Sequence, residues 1–185
     1  MSADVPSLSG AVFLKNVSVF RREVGDEAVD RAFAALTREH QDLIDHAVSA
    51  AWIPVTAVDA LYTGIAREAG RDLWTFYPDV VRIGISQTLR SVWKALLRLT
   101  SDRALIKRTP LIYSRGHSIG TIEPTIHGPG RATVVLTQWP NMPALRRLGV
   151  AAGIQATLEV AGRKDVRVTY DDTNDGAVYH ISWKP

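Results

Sequence analysis

The spacing of apolar residues divides the chain into a helical front and a strand-rich back. Val12, Phe13, Leu14, Val17, Val19 and Phe20 suit a strand or a short helix, and we read them as a helix that stops at Gly25. Behind Asp26, a residue suited to capping, Val29, Phe33 and Leu36 recur at helical spacing. A further helix is predicted from Thr37, with Leu43, Ile44, Ala47 and Val48 turned inward, before Trp52-Ile53-Pro54 breaks the chain. Thr56 and Asp59 resemble a capping pair for a helix that carries Val58, Leu61, Tyr62 and Ile65 to a stop at Gly70. The longest helical signal follows Pro78, with Ile85, Leu89, Val92, Trp93, Leu96 and Leu99 on one face. Ser101 and Asp102 then open a shorter helix that ends before Pro110.

Past this point the pattern changes. His117 to Ile126 and Arg131 to Trp139 read as strands joined by His127-Gly128-Pro129-Gly130, and Ala132 to Leu136 is the most strand-like run in the chain. A helix from about Met142 to Ala161 is predicted, with Pro143 in its first turn, Leu145, Leu148, Ala152, Ile154 and Leu158 facing inward, and Gly162 as its stop. Val166 to Tyr170 and Val178 to Trp183 flank the turn Thr173-Asn174-Asp175-Gly176. The order predicts an α+β fold: an N-terminal helical block packed on a small four-stranded antiparallel sheet, with a ββαββ C-terminal half. Residues 1–9 are expected to be a flexible leader and 10–185 a single α+β domain, since no repeat or interior linker interrupts the pattern.

Composition narrows the chemistry. With 185 residues the chain can bury roughly 70% of its unfolded surface without a staple. It has no cysteine, which excludes disulfides, thiolate metal sites and cysteine nucleophiles, and fits a reducing compartment. Nothing at the N-terminus reads as a secretory signal, and charges interrupt every apolar segment, so a soluble, cytoplasmic protein is expected.

The formal net charge is only +3, but its distribution is uneven. Between Val80 and Ile122 stand Arg82, Arg90, Lys94, Arg98, Arg103, Lys107, Arg108 and Arg115 against the single acid Asp102. Arg90, Lys94 and Arg98 recur every four residues and so form one stripe of the long helix. That stripe is either a solvated face or a docking surface for an acidic protein or a phosphorylated ligand. No aromatic platforms alternate with these cations, which argues against nucleic acid.

Motifs for catalysis are missing. Asp171-Asp172-Thr173-Asn174-Asp175-Gly176 superficially matches a calcium loop, but the twelfth position is Ser182, not a bidentate glutamate, and a hairpin turn explains the run better. His40, His46, His117, His127 and His180 form no HExxH pair. Ser91-Val92-Trp93-Lys94 matches SxxK without the accompanying elements. No GxSxG, Walker loop or strand-borne GxGxxG is present. The aromatics Trp52, Tyr62, Trp74, Phe76, Tyr77, Trp93 and Tyr113 gather in the front half. They either fill its core or line an apolar cavity, with Arg115 as an anchor for a ligand's anionic end.

Gly10-Ala11-Val12-Phe13-Leu14, Gly25-Asp26-Glu27-Ala28, Ala51-Trp52-Ile53-Pro54, Gly116, Gly149, Gly153 and Ile181-Ser182-Trp183 are spread along residues 10–185. On these the chain resembles a paralogous domain family of myxobacteria and related bacteria. That family is similar to a superfamily of vinyl-reductase-type sensor domains, haem nitric-oxide-binding sensors and TRAPP vesicle-tethering subunits. The resemblance implies helices packed on a small antiparallel sheet, and roles in sensing or scaffolding through small molecules, lipids or dimerisation. The vinyl-reductase-type domains carry two cysteines in the last hairpin, whereas Asp171 to Tyr179 has none. The haem sensors use a Tyr-x-Ser-x-Arg pattern, whereas this chain has contiguous Tyr113-Ser114-Arg115 and no histidine in the long helix before it.

The expectation is therefore a non-enzymatic sensor or signal-input domain for a small apolar or lipid-like ligand, with Trp74, Tyr77, Trp93, Tyr113 and Arg115 as pocket residues and no cofactor. The alternative is an interaction or homodimerisation module that meets an acidic partner through Arg90, Lys94 and Arg98.

Overall fold

In the computed structural model, residues 5–89 and 101–184 are described. They group into two compact units, Met1–Val80 with Arg115–Ile119, and Val81–Ser114 with Gly120–Pro185.

The first unit opens with strand β1 (Ser7–Ser9), which pairs antiparallel with β2 (Trp52–Pro54). The last residues of the expected leader are thus ordered and buried: Leu8 also bridges His117, and the Ser7 amide donates to Ser118 Oγ. The Ser9 side chain accepts from the Val12 amide and starts helix α1 (Gly10–Val24), which settles the strand-or-helix ambiguity of that segment. Helix α2 (Asp26–Ala34) follows at once, with Gly25 in the cap position and Asp26 already helical. Thr37 caps helix α3 (Arg38–Asp45) as predicted. Its inward face is not, because no residue of α3 is buried and Val48, beyond its end, is 60% exposed. Helix α4 (Val55–Glu68) starts directly behind Pro54, so Thr56 and Asp59 are helical residues and not a cap. Val58, Leu61, Tyr62 and Ile65 are buried as expected.

Helix α5 (Leu73–Thr88) starts five residues before Pro78. Asp72 caps it through the Thr75 amide. Pro78 therefore sits in the second turn, where its missing N–H forgoes only the bond to the carbonyl of half-exposed Trp74. The predicted continuation through Val92 to Leu99 lies outside the described residues.

The second unit is built on a four-stranded antiparallel sheet in the order β3-β4-β6-β5. These strands are β3 (Thr121–Gly128), β4 (Arg131–Thr137), β5 (Lys164–Thr173) and β6 (Gly176–Lys184). The ββαββ prediction holds, although β3 begins at Thr121 because His117 belongs to the first unit. Helices α6 (Asp102–Lys107), capped by Ser101, and α7 (Thr109–Ser114) lie against β3, and α8 (Ala144–Val160) lies against β5. Together they cover one face of the sheet, onto which Ile122, Ala132, Val134, Leu136, Ala177, Tyr179, Ile181 and Trp183 project. Helix α8 buries Leu145, Ala152 and Leu158 as predicted, but Leu148 and Ile154 are only half-buried, and Arg146, Val150, Ala151 and Ala156 take inner positions instead. It ends in a Schellman motif, in which the Gly162 amide donates to the Glu159 carbonyl and the Arg163 amide to the Leu158 carbonyl. That geometry needs the left-handed φ of 89° at Gly162.

Candidate functional site

In the first unit the aromatic residues fill the interior. Tyr62 contacts Phe20 at 4.9 Å, Tyr77 at 5.4 Å and Phe13 at 6.2 Å between ring centroids, and Phe20 meets Phe76 edge-on at 5.3 Å. All five are at most 3% exposed. Ridge-forming helical positions bring these rings together, and their packing leaves core rather than cavity. The unit does carry an open groove of about 310 Å³ where α2 meets α4, lined by Ala32, Leu36, Asp59, Ala60, Thr63 and Arg67.

In the second unit polar side chains join the elements that cover the sheet. Arg163, positioned by the Schellman turn, donates through Nε to Asp102 Oδ1 at 2.7 Å, and Trp183 Nε1 donates to Asp102 Oδ2 at 3.2 Å. Arg82 on α5 forks both oxygens of Glu159 at 3.1 Å, and Gln155 donates to the same carboxylate. Arg147 pairs with Asp172 at 2.7 Å, next to the fully buried Arg146. Tyr113 and Tyr179 are buried, and desolvation of their phenolates pushes both hydroxyls well above the usual tyrosine range. The neighbouring Tyr113 and Tyr170 push Tyr179 further in that direction. These are structural ties. They contain no base aimed at a nucleophile.

The calcium-like run forms the β5–β6 hairpin. Its carboxylates diverge: Asp171 binds His180, Asp172 binds Arg147, and Asp175 accepts the Gln138 amide.

The pocket residues nominated from the sequence that are described stand in different settings. Tyr77 is part of the aromatic core and Trp74 is 53% exposed, both in the first unit. Tyr113 is buried in the second, where its hydroxyl lies over the backbone of Gly120 at the head of β3. Arg115 is exposed in the segment that returns to the first unit. Trp93, and the partner-binding stripe Arg90, Lys94 and Arg98, lie outside the described residues. Arg103, Lys107 and Arg108, from the same cation-rich stretch, are exposed beside Leu111 and Ile112, which are 57% and 47% exposed.

Sequence reading missed a different set of residues. Arg131, Lys164, Arg167 and Lys184 stand on three strands and are separated by up to 53 positions, yet the strand register gathers them on the open face of the sheet. Only the pairing partners, which no local pattern reveals, could have found them.

No family model and no curated protein matches the chain. Solved structures do. An H-NOX protein from K. algicida, described as Fe(II) unliganded, superposes with a TM-score of 0.70 at 12% identity, covering 96% of this chain and 97% of its own. A Cs H-NOX variant gives 0.71 at 10% identity, with 96% and 97% covered. A T. tengcongensis H-NOX variant gives 0.69 at 10% identity, with 96% and 98% covered. The chain has the H-NOX fold. At these identities the likeness establishes the fold alone.

Another structure matched at 10% identity concerns the redox potential of a haem tuned by protein-induced porphyrin distortion. Haem iron takes an axial His, Cys, Met or Tyr. This chain has no cysteine, and no histidine between His46 and His117. None of its five histidines is buried, and ring nitrogens are engaged at His46 by the Asp42 carbonyl, at His127 by Thr133 and at His180 by Asp171. The chain thus offers an axially ligated haem neither a cysteine nor a buried histidine.

Proposed function

We propose that the chain is a small-molecule sensor or signal-input domain that uses the H-NOX fold without an axially ligated haem. The observation that carries this reading is the fold match over 96% of the chain and nearly the whole of each matched domain. The ligand class proposed is an apolar or lipid-like molecule, with the exposed Trp74 and Arg115 of the first unit as the side chains proposed to meet it. Membership in the paralogous domain family of the sequence resemblance is part of the same proposal. Among the described residues no helix is long and apolar enough to cross a membrane.

Absorption spectroscopy and native mass spectrometry on protein expressed with haem precursor test this directly. The expected result is no Soret band, together with a co-purified species of low mass. Stoichiometric haem would overturn the haem-independent reading, and a clean apo mass would overturn the lipid-like ligand.

A second reading is an interaction module for an acidic partner, supported by the exposed Arg103, Lys107 and Arg108 around Leu111 and Ile112. It extends to Arg90, Lys94 and Arg98 as proposed contacts.

A further inference from the structure

The open face of the sheet breaks three local rules in one corner. Lys164 stands directly opposite Lys184 across β5 and β6, a like-charge pairing that destabilises a sheet. One step along, Ser182 is flanked by Arg131 on β4 and Arg167 on β5, so two guanidinium groups project on either side of one hydroxyl. The Cα atoms of such a pair lie about 10 Å apart, two strand spacings. All five side chains are exposed, and none of the four cations has an ion-pair partner among the described residues.

The third broken rule explains how they come together. Lys164 and Arg167 are three positions apart and would point to opposite faces of a regular strand. Between them the register slips by one residue, since Lys164 faces Lys184 while Arg167 faces Ser182. That bulge turns both side chains to the open face. It contains Asp165 at a φ of 53°, a left-handed conformation that a residue with a Cβ adopts at a cost. A second bulge, between Ile126 and Gly128, lies at the same end of β3 and lets His127 reach Thr133 on the same face through a 2.9 Å bond. The acids of this face, Glu123 and Asp171, stand at its other end, and Asp171 is bound to His180.

A cluster that opposes folding and whose cations form no ion pair among the described residues is complemented by an external anion. Paired guanidinium groups over a hydroxyl donor match the geometry of a phosphate, which accepts bidentate Arg contacts. The rest of the face decides what carries that phosphate. Among the described residues the exposed large apolar side chains all lie off this sheet, which gives the corner no large side chain to insert into a bilayer. The face has no Phe, Tyr or Trp to stack bases, and its cations sit at one end instead of tracking a repeating backbone. Beside them runs a row of short polar side chains, Thr125, Thr133, His180 and Thr169, suited to an extended polypeptide. We propose that this corner binds a phosphorylated peptide segment of a partner protein, with Arg131 and Arg167 gripping the phosphate over Ser182 and Lys164 and Lys184 flanking it.

The test is fluorescence anisotropy on the full chain with a labelled Gly/Ser peptide bearing one phosphothreonine, against the same peptide unphosphorylated. The phosphopeptide should bind at least about tenfold tighter, and Arg131→Gln or Arg167→Gln should each remove about tenfold of that affinity. Lys164→Glu gives a readout that a structural role cannot imitate: melting temperature should rise while phosphopeptide binding falls. Equal affinity for the two peptides, or unchanged affinity in folded Arg variants, overturns the proposal. Tighter binding of oligothymidylate or of phosphatidylserine vesicles than of the phosphopeptide overturns it as well.

Discussion

The two faces of the four-stranded sheet alternate along the same strands, yet they treat polar groups in opposite ways. On the covered face Asp102 accepts from both Arg163 and Trp183, Asp172 pairs with Arg147, and apolar or aromatic residues take the other strand positions. On the open face four cations crowd one corner and pair with no carboxylate among the described residues. The covered face is organised for stability. The open face gives up stability for surface chemistry, and a functional reading has to start from that difference.

The contrast breaks most readily by truncation. Leu136→Ala on the covered face, where Leu136 is fully buried, should cost about 2–5 kcal/mol in urea unfolding. Thr169→Ala on the open face, where Thr169 is exposed, should stay within about 0.5 kcal/mol of the parent. Comparable losses at both positions would mean that the open face is covered in solution.

Alkaline pH probes the covered face through Tyr113 and Tyr179. Below their ordinary value of 10.0 both tyrosines are protonated in the folded and unfolded chain, and their contribution is fully present. Above it the unfolded chain ionises while burial keeps the folded hydroxyls protonated, so the folded state binds more protons and stability falls as pH rises. The slope is about 1.4 kcal/mol per pH unit for each tyrosine. Tyr179→Phe should remove one such contribution in unfolding curves taken on either side of that value. At neutral pH it should cost little, because the Tyr179 hydroxyl has no hydrogen-bond partner among the described residues. An unchanged alkaline slope would show that Tyr179 is open to water.

Much of the fold was legible because it rests on local rules. Ser101 and Thr37 cap helices as their chemistry dictates, Gly162 ends α8, and the ββαββ order follows from alternation and turn residues. Misreadings arose where a tertiary partner overrides a local signal. Ser7 to Ser9 look like a tail until β2 and the 115–119 segment supply hydrogen bonds, and Pro78 looks like a helix start until Asp72 caps the turn before it. The site was far less legible. Composition put Tyr77 among aromatics that could either fill a core or line a cavity but could not say which, and here Tyr77 packs against Tyr62. The cation corner was hidden because a single inserted residue reverses the parity of Lys164 relative to Arg167, and sequence alternation assumes no such slip.

The smallest expected effect is also the sharpest test of the contrast, because its sign is unusual for a substitution in a strand. Replacing Lys164 by Gln removes the repulsion from Lys184, and replacing it by Glu adds an attraction. Stability should therefore rise in two steps, Lys to Gln to Glu, totalling about 0.2–1 kcal/mol. High salt screens exposed charges, so the gain should shrink toward zero as ionic strength increases. β-propensity alone predicts no such salt dependence, and a change in packing would favour one uncharged residue over both charged ones. A flat series, or one unaffected by salt, would mean that Lys164 and Lys184 splay apart into water without opposing each other, and the cost attributed to this corner would then rest on the bulge at Asp165 alone.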